Sequence, residues 1–186
     1  MKGYMILIAI LLVTILIIAW IIKTYNKLVV LRNKVKDQWS QVDVQLKKRY
    51  DLIPNLVETV KGYVKHERNT FKEVVEARNA ALNAQNPIEE MNADSKLGGA
   101  LNKLLALSEA YPELKADANF LDLQQKLTEV EDKIAFARQF YNDTVLGYKN
   151  AIQMFPTVLI ARLMGFEDEH FFEATAVERQ NVKVKF

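Results

Sequence analysis

An uncharged run of nineteen residues, Tyr4 to Ile22, stands between Lys2 and Lys23 and constrains this chain more than any other feature. As an α-helix rising about 1.5 Å per residue it spans roughly 28 Å, close to the hydrocarbon thickness of a bilayer. Leu, Ile, Val and Ala fill nearly every position, and Tyr4 and Thr14 are the polar exceptions. Tyr4 and Trp20 stand near the two ends, where amphipathic rings suit the membrane–water interfaces. A cleavable signal needs small residues at its cleavage site, and Ile21-Ile22-Lys23-Thr24-Tyr25 offers none. A buried core helix this apolar on all faces needs a larger and less amphipathic domain around it. The run predicts a single transmembrane anchor.

Flanking charge predicts the orientation. Lys23, Lys27, Arg32, Lys34 and Lys36 follow the run before the first acid, Asp37, whereas Lys2 alone precedes it. Basic flanks stay in the cytoplasm, so the reading is N-terminus outside and domain inside the cell. The opposite topology stays open, because a short positive start also marks a signal-anchor and long domains cross membranes largely regardless of charge.

The residues after Ile22, about 164 of the 186, suffice for one domain with a core. Gly 6 and Pro 4 are too few for an all-β fold with many tight turns. Cys 0 excludes disulfides, thiol catalysis and thiolate metal sites. The 25 basic and 23 acidic residues nearly balance, and no basic block interleaves with aromatics, so no nucleic acid is expected as partner.

Helical periodicity runs through the chain beyond Ile22. Leu28, Leu31, Val35, Trp39, Val42, Leu46 and Ile53 recur mostly at three- or four-residue spacing, and nothing breaks the helix between Ile22 and Lys47. Pro54 predicts a sharp connection near Tyr50–Pro54, with Asp51 as N-cap of a second helix reaching about Ala84. Asn86-Pro87 ends that helix, and Asn86 to Asp94 reads as irregular. A third helix fits Ser95 to Ala110, capped by Asp94 or Ser95 and closed by Tyr111-Pro112. In a fourth, Phe120, Leu127, Ile134, Tyr141, Tyr148 and Phe155 recur every seven residues, with Leu123, Val130, Ala137 and Thr144 as companion row. Such an a/d seam predicts left-handed, coiled-coil-like packing against other helices. A short helix, Pro156 to Met164, ends at Gly165. The expected fold is all-α: a single N-terminal transmembrane helix, then an antiparallel bundle of about four long helices with a short terminal helix. The expected division is 1–22 for tail and anchor, 23–165 for the bundle and 166–186 for an extended or disordered tail, in which Val182-Lys183-Val184-Lys185-Phe186 alternates as a strand would.

Two metal motifs come close and fail. A ferritin-like di-metal site needs two Glu-x-x-His motifs, but the chain has His66 and His170 only; Glu167-Asp168-Glu169-His170 lies in the tail, and Tyr63 stands where His66 needs a Glu. His66-Glu67-Arg68-Asn69-Thr70 is half a zinc-protease motif with Thr70 in place of the second ligand. No nucleophile elbow, phosphate loop or dinucleotide fingerprint is present, so no catalytic residue, metal or cofactor is assigned and no enzyme is expected. The candidate site is a polar cluster at the first connection: Asp43, Arg49, Asp51, Asn55 and Glu58. Its ordinary reading is capping and ion pairing across the connection; its functional reading is a docking site for a partner.

These residues also carry a resemblance. Tyr25 to Asn33, the long run Trp39 to Tyr63, His66-Glu67, Ala77-Arg78, Lys133 to Asp143 and Phe155-Pro156 resemble the LemA family of bacterial membrane proteins. The similarity covers the anchor and the domain to about Phe172. It implies a single N-terminal span, an external N-terminus and a helical bundle, and it carries over no catalytic residues. Some relatives help build magnetosome membranes and some are encoded near membrane metalloproteases. The residues and the resemblance together suggest a scaffold that self-associates into homo-oligomers on the bilayer, through a heptad seam left partly uncovered by the short third helix. The alternative is an accessory subunit for a membrane partner such as a metalloprotease or signalling protein.

Overall fold

The computed structural model describes residues 2–64 and 67–173, and within them the chain is all α-helical apart from turns and an extended end. Six α-helices succeed one another: α1 Lys2–Tyr63, α2 Arg68–Leu82, α3 Pro87–Ala106, α4 Pro112–Lys115, α5 Ala118–Gln153 and α6 Thr157–Leu163, with a 3-10 turn at Leu107–Glu109. His66 and the alternating residues Val182 to Phe186 lie outside the described residues. The described chain forms two compact units. One comprises α1 to Gln38 with Phe140–Phe171; the other comprises Trp39–Gln139 with the described residues from Phe172 on.

Helix α1 corrects the expected break at Tyr50–Pro54, because Pro54 sits inside the helix. Proline has no N–H, so the carbonyl four residues earlier, that of Tyr50, loses its helical donor. Arg78 on α2 supplies one, donating from Nε to the Tyr50 carbonyl at 2.8 Å. The helix survives because a side chain from its neighbour replaces the missing bond. Asp51 is therefore no N-cap; it is exposed in the middle of α1.

The next connection differs as well. Asn86-Pro87 opens α3 rather than preceding an irregular stretch. Asn86 is the N-cap, its side chain accepting from the Glu89 N–H, while the Glu89 carboxylate accepts from the Gln85 N–H at 3.0 Å. The Asn86 side chain satisfies one donor that the helix start otherwise leaves open, the Glu89 carboxylate ties back the residue before the cap, and Pro87 sits in the first turn where its missing N–H costs nothing. Asp94 and Ser95 then fall inside the helix, which ends at Ala106, and Tyr111-Pro112 opens α4 instead of closing α3.

In the Trp39–Gln139 unit, Val42, Leu46, Ile53, Leu56 and Val60 of α1 are buried at helical spacing, as are Val74, Leu97, Leu104, Phe120, Leu127 and Ile134. Arg49 meets Glu131 and Tyr63 meets Asp117, fourteen residues apart on both helices (49 to 63, 117 to 131), so α1 and α5 run antiparallel here. Asp117 caps α5 by accepting from the Phe120 N–H at 2.8 Å.

In the other unit, Leu28 and Val35 of α1 and Tyr141, Val145, Tyr148 and Ile152 of α5 are buried with Ile160 and Ala161 of α6. Gly165, at φ 69°, ends α6: the Phe166 N–H reaches the Ala161 carbonyl at 2.9 Å and the Gly165 N–H that of Arg162 at 3.4 Å. This paired closure needs a left-handed residue, which glycine adopts without a Cβ penalty. The chain then runs extended, held where Tyr148 and Tyr141 donate to the carbonyls of Glu167 and His170, each at 2.9 Å.

The heptad row is thus buried in each unit from Phe120 to Tyr148, so it is not the uncovered stripe expected to drive self-association. Phe155 alone departs from the row, at 81 % exposure. Lys2 to Trp20 of α1 are exposed throughout, and α1 holds a segment long and apolar enough to cross a membrane.

Candidate functional site

The described polar groups converge on Asp94 of α3, whose side chain is buried, at 2 % exposure. Arg49 of α1, equally buried, pairs with Asp94 through Nη2 and with Glu131 of α5 through Nη1 at 2.7 Å. Arg138 of α5 reaches the other Asp94 oxygen at 3.4 Å, and the Tyr50 hydroxyl donates to Asp94 at 3.3 Å. One carboxylate therefore joins α1, α3 and α5. Arg138 also lies over the Phe172 ring, 3.8 Å from its centre, a cation–π contact.

A cavity of about 320 Å³ opens beside this cluster, lined by Arg49, Asp94, Gly98, Gly99, Thr128 and Arg138 among others. A side-chain carbon added at Gly98 or Gly99 would meet nothing within 4 Å, so the glycines leave space there. The planar guanidiniums offer fixed forks of N–H donors, so the arginines hold and orient the carboxylates. Two guanidiniums against the carboxylates of Asp94 and Glu131 make a locally neutral set. A buried set of this kind fixes helix register more than it adds net stability.

Proton chemistry is available one step away. Glu90 of α3 hydrogen-bonds to the Asp43 carboxyl of α1 beside a second cavity of about 330 Å³ that Lys47 and Tyr50 also line. Burial, and then the Asp43 charge, push Glu90 up to about 7, with Lys47 opposing. The Asp43 charge disfavours a second negative charge on Glu90, and the hydrogen bond between them favours the protonated Glu90. Burial also raises the Tyr50 phenol above its ordinary range, with the Glu90 charge adding to it. Since Glu90 titrates higher folded than unfolded, its stabilisation is complete below about pH 4.5 and is lost as pH rises through about 7. Allowing for its half exposure, the loss is on the order of 1–2 kcal/mol. Urea midpoints of the full chain in detergent should fall between pH 5 and pH 8, and Glu90→Gln should flatten that fall. An unchanged slope in the variant would assign the pH dependence elsewhere.

The five residues singled out from sequence part company. Arg49 enters the buried cluster and Asp43 the carboxyl pair, with a 3.5 Å contact to Lys47. Asp51, Asn55 and Glu58 share an exposed face of α1, where Glu58 pairs with Lys61 at 2.9 Å. Asp94, Glu131, Arg138, Arg78 and Glu90 were missed as site members. The available signal was Arg49 itself, since a buried guanidinium requires carboxylates from elsewhere in the chain. Among the described residues no three His, Asp or Glu side chains gather to hold a metal.

Comparison with known proteins adds sequence relationships to this geometry. The model of the LemA family matches residues 38–186. Magnetosome protein MamQ 2 of Paramagnetospirillum magneticum is 24 % identical over 182 residues, covering 84 % of this chain and 67 % of the relative. Protein LemA of Metamycoplasma hominis is 24 % identical over 161 residues, covering 84 % of this chain and 72 % of the relative.

Proposed function

The chain belongs to the LemA family, the family model covering residues 38–186, and from that premise we propose that it is a non-enzymatic, membrane-anchored helical scaffold that self-associates and organises membrane or partner proteins. The observation that carries this reading is the uninterrupted exposure of Lys2 to Trp20 on a helix that also builds a folded bundle. Apolar surface on that scale is stable only in lipid. The basic flank from Lys23 to Lys36 favours the domain on the cytoplasmic side. The similarity to proteins named for the magnetosome supports a role in organising membrane. Because the α5 seam is buried, self-association has to use other surfaces, and anchoring raises the local concentration of parallel copies. Two measurements test the two parts. A membrane-permeant amine crosslinker should give a ladder of this chain in native membranes, and protease added to intact spheroplasts should leave the domain uncut. A single heterologous band would favour the second reading, an accessory subunit for one membrane partner, for which the exposed face of Asp51, Asn55 and Glu58 is the available polar surface. Cleavage of the domain in intact spheroplasts would reverse the orientation.

A further inference from the structure

We propose that the corner between α5 and α6 is a second membrane contact, an apolar lip that enters the headgroup region of an anionic bilayer beside the anchor. The inference rests on the membrane-anchor reading and adds a surface to it. Phe155 continues the seven-residue row of α5 in sequence, yet Tyr148, one heptad earlier, is buried and Phe155 is 81 % exposed. Around it Met154, Leu159, Leu163 and Met164 are also exposed, Leu163 at 80 %. Side chains of this kind on one corner form a patch that water disfavours.

Position selects lipid as the occupant. Phe166, just after α6, packs edge-on against Tyr25 at 5.7 Å and under the Arg32 guanidinium at 5.2 Å. Tyr148 donates to the neighbouring Glu167 carbonyl and feels the Arg32 charge, which sets Tyr148 at the Tyr25–Arg32 level of α1. Phe155 lies seven residues further along antiparallel α5, roughly 10 Å at 1.5 Å per residue. Ile22, the last residue of the apolar run, lies ten residues back from Arg32, roughly 15 Å. The corner therefore reaches the level where the anchor leaves the hydrocarbon, within the depth of the interfacial layer. Thr24 and Leu28, just past the anchor, are buried, so the fold already covers α1 at this height.

Charge completes the match. No acid occurs from Thr144 to Phe166 or from Lys2 to Lys36, while Lys23, Lys27 and Arg162 are exposed. Exposed Lys23, Lys27 and Arg162 supply cations at this end, and Asp168, the acid that reaches Gln153 at 3.5 Å, is paired with Lys149 at 3.2 Å, so the apolar tip fits a leaflet containing anionic lipid.

The chain has no native cysteine, so a single introduced thiol reports one place. Full-length Val13→Cys, Leu163→Cys and Asp143→Cys, each carrying an environment-sensitive fluorophore, are reconstituted in phosphatidylcholine–phosphatidylglycerol vesicles. Asp143, exposed on α5 twelve residues before Phe155 and roughly 18 Å along the helix, is the comparison outside the lip. Lipids brominated on the acyl chains should quench the labels at 13 and 163, and aqueous iodide should quench the label at 143. Omitting phosphatidylglycerol should weaken quenching at 163 and leave 13 unchanged; equal quenching in both vesicles would overturn the anionic assignment. Iodide quenching at 163 with lipid quenching at 13 would overturn the lip and leave the anchor standing. A label at 13 that brominated lipid does not reach would remove the anchor, and the lip with it. Protection at 163 from both quenchers would mean that protein, a second copy or another chain, covers the corner, and would also overturn the proposal.

Discussion

Asp94→Ala is expected to lower the unfolding free energy by about 3–5 kcal/mol, the largest loss from any single exchange in the described cluster. Its carboxylate faces Arg49, Arg138 and the Tyr50 hydroxyl at once, and its side chain is 2 % exposed. Removing it leaves the buried Arg49 guanidinium with Glu131, a partner whose side chain is 46 % exposed and hence shared with water. Arg49→Ala should cost nearly as much, and the double variant should cost less than the two summed, because each single loss already strands the other charge. Asp94→Asn should fall between wild type and Asp94→Ala, keeping an acceptor for Tyr50 without the charge. Chemical denaturation of the full chain in mild detergent, followed by circular dichroism, measures all four. A loss below about 1 kcal/mol for Asp94→Ala would mean that water already solvates the cluster.

The second large effect concerns Pro54. Arg78→Ala should cost about 1–3 kcal/mol, the penalty for leaving a carbonyl without a donor away from water. Pro54→Ala returns an amide N–H four residues after Tyr50 and lets α1 satisfy that carbonyl internally. In that background Arg78→Ala should become nearly harmless. A double-mutant cycle on these positions should therefore show strong positive coupling, read from denaturation midpoints. Additive effects would show that Arg78 contributes through its packing and not through the bond to Tyr50.

This pair also explains where the sequence misled. Pro54 predicts a break because the rule for proline is local, whereas the group that annuls it comes from α2, twenty-four residues later. Asp94 likewise reads as a cap, since Asp near a helix start usually is one, and its true partners lie on α1 and α5. The long apolar N-terminal helix and the α5 seam were legible because each is a local pattern whose meaning does not depend on distant residues. The candidate polar cluster was legible only in part. Asp43 to Glu58 are near neighbours in sequence, but a 3.6-residue turn sends Arg49 inward with Ile53 and Leu56 and turns Asp51, Asn55 and Glu58 to the opposite face. Reading the cluster as one site treated a helix as though it had one side.

The extended residues after Gly165 are held in a way that separates their course from their composition. Tyr148 and Tyr141 donate to main-chain carbonyls, and the side chains of Glu167 and His170 themselves face solvent. A carbonyl is the same group whatever residue bears it. The two outward positions can therefore drift freely through evolution, or accept an engineered tag, without the chain losing its track. Each tyrosine hydroxyl, by contrast, has no substitute: phenylalanine would fill the same volume and remove one of the strap's main-chain holds, leaving Phe166 on Tyr25 and Asp168 on Lys149 to keep the rest. What is inherited along this segment is a set of side chains that grip it from outside.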